Sequence, residues 1–210
     1  MRASAFSQRA FGRVLVCITC LAVGLSVSPT TRASVFTNSV FLETAFVPPS
    51  GNQPGFEIQA WTHPNGAGDG GFVDVTISPS LVLSPYAYTV GIGERWFSVG
   101  YGTVFDAAAL STATPFANNL SAPFTPGQIQ LSVGQDFYLA FWLQSSPPPY
   151  DYGWVHLKLA NSTTLTLLGN AIEDSGSGII VGTTTVVPEP SSFCLLALAL
   201  ALMLSIGRRR

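Results

Sequence analysis

Alternating apolar and polar positions dominate the middle of the chain, and this period of two predicts β-strands. Every second residue is apolar in the stretches 56–61, 72–78 and 154–159. The stretch 137–143 (FYLAFWL) is apolar at every position, which is typical of a central strand covered on both faces. Further strands are predicted within residues 95–105, at 165–168 and at 179–181. The residues predicted to face a core in the alternating stretches are Phe56, Ile58, Ala60, Val73, Val75, Ile77, Val155, Leu157 and Leu159.

Turn-forming residues separate these stretches, and helical periodicity is almost missing between residues 34 and 185. Only Ala107–Leu110 favours a single helical turn. Many short strands without helices between them indicate an all-β domain. We predict an antiparallel β-sandwich, jelly-roll-like in connectivity, over residues 34–185. A closed barrel is the alternative.

The first 33 residues have the pattern of a secretory signal peptide. Arginines at positions 2, 9 and 13 form a basic start, and Val14–Val27 is an apolar run. Ser28-Pro29-Thr30 interrupts that run, and Thr31-Arg32-Ala33 places small residues at the two positions that a signal peptidase reads. We therefore predict cleavage between Ala33 and Ser34. An apolar run of 14 residues is short for an uncleaved membrane anchor.

The last 25 residues combine three features in a fixed order. Pro188, Glu189 and Pro190 come first. The two prolines prevent the following helix from starting earlier, and they keep the junction extended. Residues 191–207 then form an apolar segment, about 25 Å long as a helix, which is at the lower limit for crossing a membrane. Arg208, Arg209 and Arg210 close the chain and would stay on the cytoplasmic side, so the body would lie outside.

This arrangement resembles the PEP-CTERM sorting signal of Gram-negative bacteria. The resemblance implies recognition of residues 186–210 by an exosortase, a membrane-embedded cysteine protease or transpeptidase. It also implies export, a transient anchor in the inner membrane, and delivery to the cell surface or extracellular matrix in association with exopolysaccharide. An ordinary C-terminal anchor with a chance Pro-Glu-Pro is the alternative.

A second, weaker resemblance covers residues 133–182. The order Val133-Gly-Gln-Asp136, FYLAFWL, Tyr152-Gly-Trp-Val155 and a final glycine-rich hairpin is similar to the C-terminal half of many exported PEP-CTERM proteins. It implies a shared sandwich and no particular activity. Ile172 departs from that pattern, in which an aromatic residue is usual.

Charge and cysteine content separate the body from the ends of the chain. Residues 34–187 hold ten carboxylates but only Arg95 and Lys158, which gives a formal net charge of −8. Such a body repels phosphate backbones, so nucleic acid is not an expected partner. Cys17, Cys20 and Cys194 all lie in the terminal apolar segments, so the body contains no disulfide.

The body offers no motif for catalysis, a cofactor or a metal, and we predict a protein that is not an enzyme. Its only histidines are His63 and His156, and no nucleophile-elbow or clustered metal-ligand pattern accompanies them. Residues 65–71, with Asp69 and the nearby Asp74, could offer oxygen ligands to Ca²⁺, but this segment lacks the ligand spacing of an EF-hand loop. The hypothesis of a secreted hydrolase that uses two carboxylates also remains, because the distance between two carboxylates is set only by the fold. The candidate glutamates are Glu43, Glu57, Glu94 and Glu173.

Aromatic residues provide an alternative to a purely structural role. Rings stack on sugar faces, and a lectin-like module would use such rings together with amide and carboxylate groups. We expect most of these rings to be buried in the core, and Trp142 above all. The stiff Pro147–Pro149 segment could hold the Tyr150 ring exposed to solvent. The candidates are Trp61, Trp96, Trp142, Tyr150, Tyr152 and Trp154.

Overall fold

The computed structural model describes residues 33–43, 54–89, 93–118, 127–144 and 150–187. Chain contacts divide the protein into two units, 1–32 and 33–210, and every described residue belongs to the second unit. The predicted signal peptide, apart from Ala33, lies outside the described residues, as do Pro188–Pro190, the predicted membrane helix and Arg208–Arg210.

The described part of the chain is mostly β-strand. Its longer strands are β2 (Val40–Glu43), β3 (Gly55–His63), β4 (Ala67–Ile77), β5 (Val82–Thr89), β6 (Glu94–Val99), β10 (Asp136–Leu143), β11 (Asp151–Asn161) and β12 (Thr164–Glu173). Two-residue strands are β1 (Val35–Phe36), β7 (Val104–Phe105), β8 (Ala117–Asn118), β9 (Ile129–Gln130) and β13 (Ile179–Ile180). A 3₁₀ turn (Pro64–Gly66) joins β3 to β4, and one short helix, α1 (Ala107–Thr112), follows β7.

Two antiparallel sheets contain most of these strands. The first sheet has the order β1-β12-β11-β10-β6-β8, and the second has the order β2-β3-β4-β5-β9. A small third sheet pairs β13 with β7. The prediction of an all-β, antiparallel domain is therefore confirmed.

The jelly-roll-like connectivity is not the order observed in the described strands. Within the two large sheets, five of the nine neighbouring pairs are consecutive in sequence, in the runs β2-β3-β4-β5 and β10-β11-β12. These two runs are meanders, whereas a jelly roll needs the crossed order of Greek keys. The difference follows from the connections, because the short Pro64–Gly66 turn and the Asn161–Thr164 turn return the chain directly onto the preceding strand.

A continuous apolar core lies between the two sheets, so they pack face to face. Both sheets contribute to it, with Ile58 and Val73 from the second sheet and Phe141 and Leu157 from the first. The nine residues predicted to face a core are all buried in this cluster. His156 and Lys158 lie on the opposite face of β11, as their alternation with Val155 and Leu157 predicts.

Strand β10 is covered on both faces, which confirms the interpretation of FYLAFWL. Leu139 and Phe141 belong to the core between the sheets, while Ala140 and Trp142 belong to a second apolar cluster on the outer face of the first sheet. This outer cluster also includes residues of the small third sheet, Phe105 and Ile179, and has residues of α1 packed against it. The first sheet is thus a middle layer between the second sheet and this cover.

Helix α1 extends two residues beyond the predicted turn Ala107–Leu110. The carboxylate of Asp106 accepts hydrogen bonds from the backbone N–H groups of Ala108 and Ala109, each at 2.9 Å. This N-cap satisfies two donors that a helix start leaves without partners. The cap explains why so short a helix persists beside β7.

Gly153 gives a test of the packing in the middle layer. A Cβ atom at this position would lie 2.2 Å from Cζ of Phe141 and 2.9 Å from the carbonyl oxygen of Ala171. We expect Gly153→Ala to lower the free energy of unfolding by about 2–3 kcal/mol, because the overpacked sheet must shift. Urea denaturation of the purified exported protein measures this. Gly100→Ala is the matched control, since its nearest atom is 3.7 Å away, and an equal loss in both variants would contradict the packing argument.

Candidate functional site

Most of the candidate aromatic residues are buried, as the sequence predicts. Trp96 lies in the core between the sheets, and Trp142, Tyr152 and Trp154 lie in the outer cluster. Tyr150 is 42 % exposed, and its ring centroid is 5.0 Å from that of Trp142. The guanidinium carbon of Arg95 lies over the same Trp142 ring, 5.6 Å from its centroid. Tyr150 is therefore partly exposed and packs on the Trp142 ring, which the Arg95 guanidinium also contacts.

Trp61 is half-buried on the outer face of the second sheet. Its indole lies against the backbone of Gly70 on the neighbouring strand, where a Cβ atom would come within 2.7 Å of Cε3. Gly66 borders both Trp61 and Phe41. Glycines at these two positions let the indole lie close to the sheet, which gives part of the glycine-rich segment 65–71 a packing role.

An open cleft of about 530 Å³ lies beside Trp154. It is bordered by segments from four parts of the chain, namely Thr37, Asn38, Trp154, Gly169, Asn170, Gly182, Thr183, Thr184 and Thr185. None of these side chains is charged, although the body as a whole is acidic. Hydroxyl and amide groups around an indole form a surface suited to a neutral, hydroxyl-bearing ligand.

Hydrogen bonds hold the walls of this cleft. Nε1 of Trp154 donates to the carbonyl oxygen of Thr183 at 2.8 Å. The Thr183 hydroxyl donates to Ile180 at 2.9 Å and accepts from the Thr185 N–H at 3.0 Å, which fixes the turn after β13. On the opposite wall, Oδ1 of Asn170 accepts from the backbone of Ser39 at 3.0 Å. The cleft is thus formed before any ligand arrives.

Several polar groups at the mouth remain available. Thr37, Asn38, Thr184 and Thr185 are exposed, and the hydroxyls of Thr37 and Thr184 make no hydrogen bond to other described residues. Asn38 has a φ of 61°, in the left-handed region that asparagine tolerates better than most residues. Gly169 leaves the far edge of the Trp154 ring open, because a Cβ atom there would sit 3.8 Å from that edge.

A row of rings continues from the cleft along the outer face of the first sheet. The ring of Tyr138 packs edge-on to Trp154 at 6.1 Å and stacks on His156 at 4.3 Å with an interplanar angle of 7°. Tyr101 follows at 5.9 Å from Tyr138 and is 69 % exposed. Gly182 lies directly against Tyr101 and also borders the cleft. Cleft and rings therefore form one continuous surface.

The candidate glutamates are distributed over three different faces. Glu94 is fully buried and points between the sheets toward Gly71, where its Oε2 occupies the space of a Cβ atom. Glu173 is buried on the outer face of the first sheet and accepts a hydrogen bond from the Gly178 N–H at 3.0 Å. Glu43 and Glu57 are register partners on the second sheet. Only these last two come together.

The second sheet continues this acidic row with Asp74, the register partner of Glu57. Burial raises the pKa of Asp74 to about 6, and the nearby Glu57 carboxylate adds to that rise. The side-chain amide of Gln59 donates to Glu57. Among the described residues, no group of three or more His, Cys, Asp or Glu side chains is arranged to hold a metal ion.

The two histidines have packing partners. His63 stacks on Phe36 at 5.7 Å, and its Nδ1 lies 3.1 Å from the Thr62 hydroxyl. His156 stacks on Tyr138, and its Nε2 is 3.6 Å from the Asp136 carboxylate. Neither histidine lies beside a serine or cysteine nucleophile in these contacts.

The domain holds the chain up to the residue before the Pro-Glu-Pro segment. Val186 forms a β-bridge with Ile179, and the Val187 N–H donates to the Gly178 carbonyl at 2.9 Å. Within the described ranges, no helix has the length and apolar content to cross a membrane.

Comparison with known proteins identifies the end of the chain. The family described as PEP-CTERM protein-sorting motif matches residues 186–210. No curated protein and no solved structure matches the chain.

The chain is thus an antiparallel β-protein that ends in a protein-sorting motif. Residues 186–210 therefore carry a PEP-CTERM protein-sorting motif, which supports processing by an exosortase and indicates export to the cell surface or extracellular space.

Glu94 provides a test of the buried polar interior. Burial raises its pKa to about 9, although a hydrogen bond from the Phe72 backbone N–H acts in the opposite direction. The folded protein therefore keeps a proton that the unfolded chain releases above about pH 4.5. Stability should fall as the pH rises from about 4.5 to 9, because the native state binds more protons there.

Replacing Glu94 by glutamine removes this titration. We expect Glu94→Gln to be more stable than the wild type at pH 8, by about 1–3 kcal/mol, and to have a flatter pH profile between pH 5 and 8. Urea denaturation at both pH values measures the difference. Gln135→Glu adds an exposed carboxylate near the surface and should leave the slope unchanged. Parallel profiles for the wild type and Glu94→Gln would show that Glu94 is ionised when folded.

Proposed function

We propose that this exosortase-sorted extracellular protein is a non-catalytic component of the cell envelope or extracellular matrix that associates with exopolysaccharide. The observation that carries the proposal is the sorting motif at residues 186–210, because the resemblance links such proteins to exopolysaccharide. The motif follows a folded domain that holds the chain through Val187. A compact body delivered outside the cell by a removable tail is the arrangement that a matrix component needs.

The distribution of carboxylates supports a non-catalytic body. Glycoside hydrolysis needs two carboxylates on either side of one bond, about 5–10 Å apart in a groove. Glu94 and Glu173 serve the packing of two different faces, and Glu43 with Glu57 lie on the outer face of the second sheet. The cleft beside Trp154 has no carboxylate in its lining. Binding without cleavage fits this arrangement better than hydrolysis does.

The cleft favours a second, more specific candidate, a lectin-like carbohydrate-binding module. Its lining offers hydroxyl and amide groups around an indole edge, and sugar hydroxyls are donors and acceptors for these groups. The neutral lining favours an uncharged sugar, since an anionic sugar would meet the acidic body without a compensating cation. Tyr101 and Tyr138 would extend the contact to further sugar units along a chain.

The sorting step is tested by replacing Pro188-Glu189-Pro190 with three alanines. In a host with an exosortase, we expect the precursor to accumulate in the membrane fraction with its C-terminal segment attached, because the rigid recognition segment is gone. Immunoblotting and intact mass of the membrane and extracellular fractions measure this. The control replaces Ser191 and Ser192 with alanine, directly after the Pro188–Pro190 segment and within the same matched region. Processing of the triple variant at the control rate would contradict the motif's role.

Sugar binding is tested at the mouth of the cleft. Asn38→Gly keeps the left-handed backbone and removes the amide, while Thr184→Val removes a hydroxyl from an exposed turn. We expect each to weaken binding to the host's purified exopolysaccharide about threefold to tenfold, the effect of one lost hydrogen bond. Affinity electrophoresis with the exopolysaccharide and with a neutral glucan measures this.

Thr166→Val is the matched control, because Thr166 is exposed on β12 and is not part of the cleft lining. Equal retention of all three variants and the wild type, with unchanged melting temperatures, would exclude the cleft as the sugar site. Retention of the wild type by neither polymer would exclude the lectin-like function while leaving the sorting function intact.

A further inference from the structure

Ser34 is bound to the domain by two hydrogen bonds with Asp174. Its backbone N–H donates to Oδ1 of Asp174 at 2.8 Å, and the Asp174 N–H donates back to the Ser34 carbonyl at 3.3 Å. The next residues, Val35 and Phe36, form β1 and pair with Glu173 and Ile172 of β12. The Ser34–Asp174 pair therefore closes the end of this ladder, and it is half-buried.

We propose that cleavage of the Ala33–Ser34 bond turns this hydrogen bond between an amide and a carboxylate into an ion pair, so that Asp174 is the binding site for the α-ammonium of the mature chain. Hydrolysis by the signal peptidase adds water across the amide. The C–N bond breaks, Ala33 leaves as a carboxylate, and the Ser34 nitrogen takes up the protons to become an ammonium group. The nitrogen then carries a positive charge 2.8 Å from a carboxylate oxygen, a separation typical of charge-assisted hydrogen bonds.

The surroundings of Asp174 support this assignment. The ion pairs among the described residues join Asp136 with His156 and Lys158, and none involves Asp174. The other described cation, Arg95, lies over Trp142. In a body of formal charge −8, the new α-ammonium is thus a cation that Asp174 can bind without competition from those side chains.

The position of Asp174 suits an α-ammonium at Ser34 and at no neighbouring residue. Moving the terminus by one residue shifts the ammonium by about 3.3 Å along the extended chain, beyond direct contact with Oδ1. Cleavage during export would in this way strengthen a contact that the precursor makes only through an uncharged amide, independently of any ligand that the body binds.

The experiment begins with the full chain, exported and purified from a Gram-negative host. Intact mass and N-terminal sequencing are expected to give Ser34 as the first residue. Asp174→Asn keeps an oxygen acceptor and removes the charge, so we expect the melting temperature at pH 7 to fall by about 2–4 °C. At pH 10 the difference should shrink to less than about 1 °C, because the α-ammonium loses its proton.

A matched chain separates the ion pair from simple backbone bonding. Inserting one glycine between Ala33 and Ser34 moves the charged terminus outward and restores a neutral amide at Ser34. In this chain we expect Asp174→Asn to cost less than half of its effect in the natural chain. A mature terminus at any residue other than Ser34 overturns the proposal, and so does an equal effect of Asp174→Asn in the two chains.

Discussion

Strand β10 is apolar at every position from Phe137 to Leu143, so it is stable in water only if both of its faces are covered. The second sheet covers one face, and the cluster that contains Phe105 and Ile179 covers the other. The remaining architecture follows from this double burial. It orders the two large sheets face to face, and it brings the segment after β12 back over the outer face of the first sheet.

The outer cover has a second consequence, which is the cleft beside Trp154. To shield Trp142 and Trp154, residues 179–187 pass over β10 and β11, and the turn at Thr183–Thr185 meets the loop at Thr37 and Asn38. The cleft lies where these segments approach each other over Trp154. The same segment leads directly into the sorting motif, because Val187 is its last residue bonded to the domain. The outer apolar cluster, the cleft and the sorting motif are therefore connected through one stretch of chain.

Local patterns were sufficient in several of the longer strands. The alternation in β3, β4 and β11 identified their buried residues, and FYLAFWL identified the doubly covered strand. Two-residue strands such as β1 and β8 have no period to read, and β5 was missed because Pro85 is uncommon inside a strand. Pro85 is accommodated at a register shift, where Val75 pairs with Pro85 and Asp74 with Ala87. The predicted jelly-roll connectivity was wrong because strand patterns do not specify which strands become neighbours.

The destination of this protein was readable from the sequence alone, because the sorting motif is a contiguous run of residues recognised in order. So were the strand class and the inward faces, since each depends on neighbours two positions away. The candidate site could not be identified from the sequence alone. Trp154 was one of six aromatic candidates, and the threonines and asparagines around it carry no motif. Only the tertiary structure decided between them, because Thr37 and Thr185 come together solely through the packing of strands that are distant in the chain.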